Sequence, residues 1–510
     1  MNSIRILFAC AIAPTVAFSE EPLSAIDWLS GISSFSDSEL SPDADEDRPF
    51  RRHFDKPPST AFSRKMKNWN ALGLLPASKT GLPVDIWEYS STESLVTDFN
   101  RIRPNGFTPI KWLYYTLLLA EANAPKDANN DSLFLKTRMD VLRRFGAVET
   151  AKSLIESAGP GTGELFDYWF DLSLLSSGVD KACDVLEKTP TLSKSYLKRI
   201  YCLSRRGDWA TAMLIYEACN ALDLFNSAEA DLLGMFLDSE TSGQIPAPEE
   251  MSIMTPLLFR LYEAAGNPLP AKSLPLEYAV SDLNGTSGWR AEIEAAEKLT
   301  KTGAVTANQL LGLYTERRPS ASGSLWDRAS AIQQLEIALD SQDKNATGAA
   351  LVNAWNLLSK HGLADFMSTI YAEEAVKANL PEPARRTVFK MALLSPDFSI
   401  LGPISASNGR RDQFLIGVIN GSPDHDLARS DLEMEIANAF YATGPTEKHE
   451  RMIAAGRIGQ ALLSSALLID NAGPEDVKNI ASALQTMLAL GFDETAKRVA
   501  LNLLIQEGPI

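Results

Sequence analysis

The chain has 510 residues, 45% of them hydrophobic, and 48 lysines and arginines stand against 65 aspartates and glutamates, for a net charge of −17. That length can bury a substantial core and suggests two to four compact bodies, while so acidic a surface makes nucleic acid and anionic membranes poor partners. Four cysteines in a chain of this size exclude a small disulfide scaffold, so packing must hold the fold.

The first twenty residues, MNSIRILFACAIAPTVAFSE, carry one cation, Arg5, ahead of an apolar run from Ile6 to Val16 that is too short to span a bilayer. Ala17, Phe18 and Ser19 present small residues where a signal peptidase cuts, so residues 1–19 read as a secretory signal peptide. Leu7–Cys10 imitates a lipoprotein box, but too few apolar residues precede it. No later segment reaches the roughly 18 uncharged residues of a membrane span, and the expectation is a soluble periplasmic protein.

Residues 20–61 read as a disordered acidic tether rich in Ser, Asp and Pro, with a short apolar segment at 22–30. Leu23, Ile26, Trp28 and Leu29 concentrate apolar surface there. They are expected to dock on a partner protein, the alternative being a groove of the chain itself. Residues 62–108 keep Gly73, Pro76, Gly81 and Pro83, which prevent one long helix, yet Leu74, Leu75, Leu82, Ile86 and Trp87 want burial. An irregular strap lying on the following domain is expected.

From Pro109 the apolar residues recur at three and four spacing, and no alternating run suggests a sheet. The spacing predicts helices near 131–145, 147–158, 163–177, 179–188, 192–206, 209–222 and 227–238. Residues 109–240 form a first helical-repeat region, a proline-rich connection fills 241–285 with one helix near 249–265, and 286–510 form a second repeat region.

A local grammar recurs in these regions. LRRFGAVETA, LSRRGDWATA and MLALGFDETA each place an apolar residue four before a glycine and an alanine five after it: Leu142, Gly146, Ala151; Leu203, Gly207, Ala212; Met487, Gly491, Ala496. Leu174, Gly178, Cys183 and Leu358, Gly362, Met367 are looser copies. Glycine is expected to end one helix in the left-handed conformation, and the small residue to let the next helix approach. Glycines 146, 178 and 207 are each about one helical hairpin apart.

That spacing and grammar resemble degenerate tetratricopeptide-type helical repeats, well over 130–240 and loosely over 286–510, without the family's fuller Trp, Leu, Gly, Tyr and Pro signature. LGLLPASKTGLPVDIW, the repeats and the closing LQTMLALGFDETAKRVALNLLI also resemble an uncharacterised group of secreted alphaproteobacterial helical-repeat proteins. The resemblance implies a periplasmic setting and no activity.

Chemistry is sparse. GPGTG at Gly159–Gly163 lacks the Lys-Ser/Thr of a phosphate loop, and HERMI at His449 has Ile453 where a zinc helix needs its second histidine. Asp424-His425-Asp426 reads as a solvated loop. SYLK at Ser195–Lys198 and KTG at Lys79–Gly81 imitate parts of a penicillin-binding site in reversed order. No lysozyme-like domain follows the helices, and no catalytic residue, cofactor or metal is assigned. Of the cysteines left after processing, Cys183, Cys202 and Cys219, we favour a Cys183–Cys202 disulfide, with Cys202–Cys219 the competing pair.

The expectation is therefore all-α: a superhelical solenoid of antiparallel helix pairs behind a disordered N-terminal segment, with an extended face for peptides or proteins. The function expected is that of a non-catalytic periplasmic scaffold or adaptor whose protein partner is not named by the sequence. The alternative is an enzyme of peptidoglycan metabolism or its accessory subunit.

Overall fold

A computed structural model describes residues 68–507, apart from 105, 129–131, 160, 162, 239–253, 286, 320 and 474–475. Residues 1–67, and with them the expected signal peptide, the expected tether and Leu23, Ile26, Trp28 and Leu29, lie outside the described residues. Among those described the regular structure is helical without strands, and one isolated bridge joins Leu75 to Ala120. None of these helices is long and apolar enough to cross a membrane.

The helices start and stop where side-chain chemistry tells them to. Ser195 accepts from the Lys198 amide ahead of Tyr196–Arg205, Asp208 from Thr211 ahead of Trp209–Ala221, and Asn226 forms a capping box with Glu229 ahead of Ser227–Leu237. The C-terminal ends belong to the glycines. Gly146, Gly207, Gly362 and Gly491 have φ of 75°, 84°, 72° and 81°. In each case the amide after the glycine donates back to the carbonyl of the apolar residue four before it: Ala147 to Leu142, Asp208 to Leu203, Leu363 to Leu358, Phe492 to Met487. That bond explains the fixed interval between the apolar residue and the glycine. The fixed interval after it is explained by Ala151, Ala212 and Ala496, all wholly buried. Gly178 is left-handed too, at φ 98°, but serves as the start of Val179–Lys188. The same turn also occurs where the sequence grammar did not indicate it, at Gly266, Gly303 and Gly456, φ 77°, 80° and 76°, with Asn267 donating to Tyr262, Ala304 to Leu299 and Arg457 to Met452; of these Gly456 alone is followed by a buried alanine, Ala461, five residues on.

The packing is not confined to neighbours along the chain. Helix Thr108–Leu119 is apolar on nearly every side, and all its residues but Thr108, Trp112 and Thr116 are buried. A helix of that kind must be surrounded, and this one packs on Leu133–Arg144, on Trp289–Thr302, and on the C-terminal helices Ile458–Asp470 and Asp493–Glu507. Phe107 donates its amide to Asp470 at 2.6 Å across 363 positions of sequence, and the Tyr114 hydroxyl reaches the same carboxylate at 3.3 Å. The preceding segment follows it: Ile86 and Trp87 are wholly buried, and the Ile86 carbonyl accepts from the Gly459 amide. Arg138, also buried, staples this corner by donating to the carbonyls of Leu72, Leu118 and Ala120; burial drives its guanidinium down to about 9.

The core accordingly has two parts that do not follow chain order. One joins residues 82–278 to 389–504, and the other is built from 279–401. Thr108–Leu119 touches both, through Lys111, which donates to the Lys301 carbonyl at 2.5 Å. Burial pushes the Lys111 ammonium down to about 8, against the pull of Asp365 and Asp470.

Candidate functional site

Three alternate helices, Leu133–Arg144, Gly163–Leu175 and Tyr196–Arg205, are each followed by a partner helix across a short turn. The connection after residue 253 lies on these first helices. Pro256–Ala264 packs on Gly163–Leu175 and Tyr196–Arg205, and the 3-10 segment Leu276–Leu283 packs on Leu133–Arg144 and Gly163–Leu175. Thr255 caps the helix by accepting from Leu258, with Pro256 at its first position. The face that the sequence left open for a peptide is therefore partly filled by the chain's own connection.

Beneath that cover runs a row of charges. Arg143 grips Glu277 with two bonds of 2.7 and 3.0 Å. Lys198 lies 2.8 Å from Asp167 and 3.0 Å from Asp171. Burial raises the Asp171 and Asp140 carboxyls above their ordinary range, while Lys198 and Arg143 respectively pull the other way.

Where Pro256–Ala264 meets the turn at Gly178, a cleft of about 400 Å³ opens. Its walls include Leu174, Gly178, Asp180, Tyr201, Arg205, Arg260 and Glu263. Arg260 donates to the Leu174 carbonyl at 2.7 Å and to Glu263 at 2.5 Å, and Arg205 donates to Asp180 at 2.7 Å. The two carboxylates are the exposed members of these pairs: Asp180 is 75% exposed and Glu263 43%, against 39% for Arg205 and 15% for Arg260. Arg205 holds the Asp180 carboxyl below its usual range, and burial pushes the Tyr201 phenol up. The Arg205–Asp180 pair is exposed enough to contribute little to stability.

Cys183 and Cys202 are joined in a disulfide with their Cα atoms 5.3 Å apart, and Cys219 is buried and free. The bridge ties Val179–Lys188 to Tyr196–Arg205, which carry Asp180 and the Tyr201–Arg205 pair of the cleft.

The motifs that imitate enzyme sites have structural roles. Ser195 caps its helix, and Lys198 belongs to the carboxylate row. Lys79 and Thr80 end a four-residue helix closed by Gly81 at φ 65°. Asp424 caps the turn His425–Leu427, and His425 contacts Asn438 and the Tyr441 ring. His449 is wholly buried between the Thr486 hydroxyl at 2.7 Å and the Ser464 hydroxyl at 3.2 Å. Among the described residues no group of three or more His, Cys, Asp or Glu is placed to hold a metal ion. Sequence reasoning did not find Arg205 and Arg260 because their meeting depends on where a proline-rich connection returns. Pro256 at a helix start was the one local hint.

Comparison of the chain with protein-family models, curated proteins and solved structures finds no match.

Proposed function

We propose that the protein is an exported, periplasmic, non-catalytic scaffold of tetratricopeptide-like helix pairs, which captures another protein at the cleft beside Gly178. The observation that supports this reading is the pair of arginines, Arg205 and Arg260, covered by exposed carboxylates that a partner's acidic side chain or chain terminus can displace. Tyr201, buried beneath them, backs the Arg205 guanidinium with its ring. The disulfide and the lack of a membrane-crossing helix among the described residues are compatible with export.

Chemical cross-linking in the native organism, followed by identification of co-purifying proteins, tests the reading. A protein partner lost on Arg205→Glu plus Arg260→Glu supports it. Recovery of peptidoglycan fragments without a protein partner supports the alternative role in cell-wall metabolism and overturns this one.

A further inference from the structure

Three cations gather where two helices meet a third. Ala384–Leu394 and Arg410–Ile419 both pack on the C-terminal helix Asp493–Glu507. Arg386 and Lys390 are four positions apart on the first of them, neighbours on one ridge. Arg411, on the second, donates to the Leu504 carbonyl of the C-terminal helix at 2.9 Å. Lys390 and Arg411 are partly buried and Arg386 is exposed. Burial pushes the Lys390 ammonium down, and the guanidiniums of Arg386 and Arg411 push it further the same way. Among the described residues no carboxylate pairs with any of the three or bears on the Lys390 ammonium. The Nε–H of Arg411 is buried without an acceptor, which costs free energy. The cations beside them are accounted for. Arg385 pairs with Glu382, Arg410 donates to the Asp426 carbonyl, and Arg498 donates to the Pro396 carbonyl within the field of Glu494, Asp397 and Asp365.

A chain of net charge −17 has carboxylates in excess, so a corner of three cations without one is a local arrangement and not a matter of composition. Like charges held together repel, and an anion between them turns that repulsion into attraction. We infer that this corner binds a small phosphate dianion, with Arg386 and Arg411 as guanidinium donors and Lys390 as the ammonium between them. A tetrahedral dianion offers acceptors in several directions, so it can meet donors that arrive from two helices, and guanidinium and ammonium both suit phosphate. The charge of the whole chain selects a small ligand. An extended sheet or strand of phosphate meets the acidic body around the corner and is repelled by it, whereas a single phosphate meets the local field.

Calorimetric titration of the full chain with inorganic phosphate, at an ionic strength held constant with sodium chloride, tests this. The expected result is saturable binding to a single site, with a melting temperature that rises as phosphate is added. Lys390→Gln and Arg386→Gln each weaken binding about tenfold, the loss of one charge-assisted bond, and abolish most of the phosphate-dependent rise in melting temperature. Arg410→Gln, the neighbour with its own carbonyl partner, changes neither. Arg386 is exposed, so Arg386→Gln reads the site without disturbing the fold, and without phosphate it melts no lower than the wild type because it removes a repulsion. Failure to saturate at millimolar phosphate overturns the inference, as does binding indifferent to Lys390→Gln and Arg386→Gln or weakened equally by Arg410→Gln. Vesicles of phosphatidylglycerol are expected not to bind, and vesicle binding overturns the inference in favour of a membrane surface. Phosphate binding that emerges only after removal of residues 508–510 makes the chain's own end the occupant and overturns it as well.

Discussion

Gly207 and Gly456 occupy the same left-handed corner, at φ 84° and 76°, with different surroundings. A Cβ on Gly207 meets nothing within 4 Å, whereas one on Gly456 lies 2.9 Å from the Tyr89 ring. Gly207→Ala therefore loses only the backbone preference, about 1 kcal/mol, and Gly207→Val more, since branching at Cβ stiffens the residue further. Gly456→Ala adds a clash that must displace Tyr89, so denaturant unfolding should rank it below Gly207→Ala. His449 gives a second test at this scale. Burial pushes its imidazole from 6.5 down to about 4, so the folded state resists its protonation. The contribution is fully present above pH 6.5 and is lost as pH falls through 6.5 toward 4, about 3 kcal/mol in all. His449→Gln, which keeps polar atoms for Thr486 and Ser464, should flatten the acid limb of a stability–pH curve over that window.

Helices and their ends were legible in the sequence, because periodicity, caps and glycine corners are local. Val179–Lys188 and Trp209–Ala221 fall within a residue of where apolar spacing places them. What surrounds Thr108–Leu119 was not legible, since its contacts come from helices hundreds of positions away. The run PIKWLYYTLLL carried the signal, being apolar on too many sides for a repeat helix with a solvent face. Asp470 is the test of that junction. Burial raises its carboxyl, so the folded protein accommodates the neutral form. Asp470→Asn should then be tolerated at neutral pH, while Asp470→Ala leaves the Phe107 amide without its acceptor and costs about 1–3 kcal/mol, measured by urea titration. The cleft has its own element-scale test. Cys183→Ser with Cys202→Ser removes a cross-link between positions 19 apart, worth about 3 kcal/mol on the loop-entropy account.

At the scale of the molecule, the linear array expected from repeats is joined end to end. Residues 82–278 and 389–504 share one core, and Gly459 shows why the sequence hid this. It is the second residue of Ile458–Asp470, past the Gly456 turn and with no positive φ to require it, and a Cβ there lies 2.5 Å from the Trp87 ring. Close approach by a distant segment leaves only an unexplained glycine as its trace. The candidate site was legible to the same degree: the disulfide and the Gly178 corner are sequence features, whereas the return of Pro256–Ala264 across the first helices is tertiary. The return of Pro256–Ala264 holds the cleft walls together, so the partner proposed above would meet Arg205 and Arg260 already positioned. The most direct measurement places a photo-cross-linking residue at Ser177, exposed on the cleft wall, and, as a control, at Ile337, which is 68% exposed on Leu325–Asp340. In the native organism, position 177 should capture a discrete protein, position 337 should not, and Arg205→Glu with Arg260→Glu should abolish the capture. Equal capture at both positions, or capture unaffected by the arginine changes, would contradict the account.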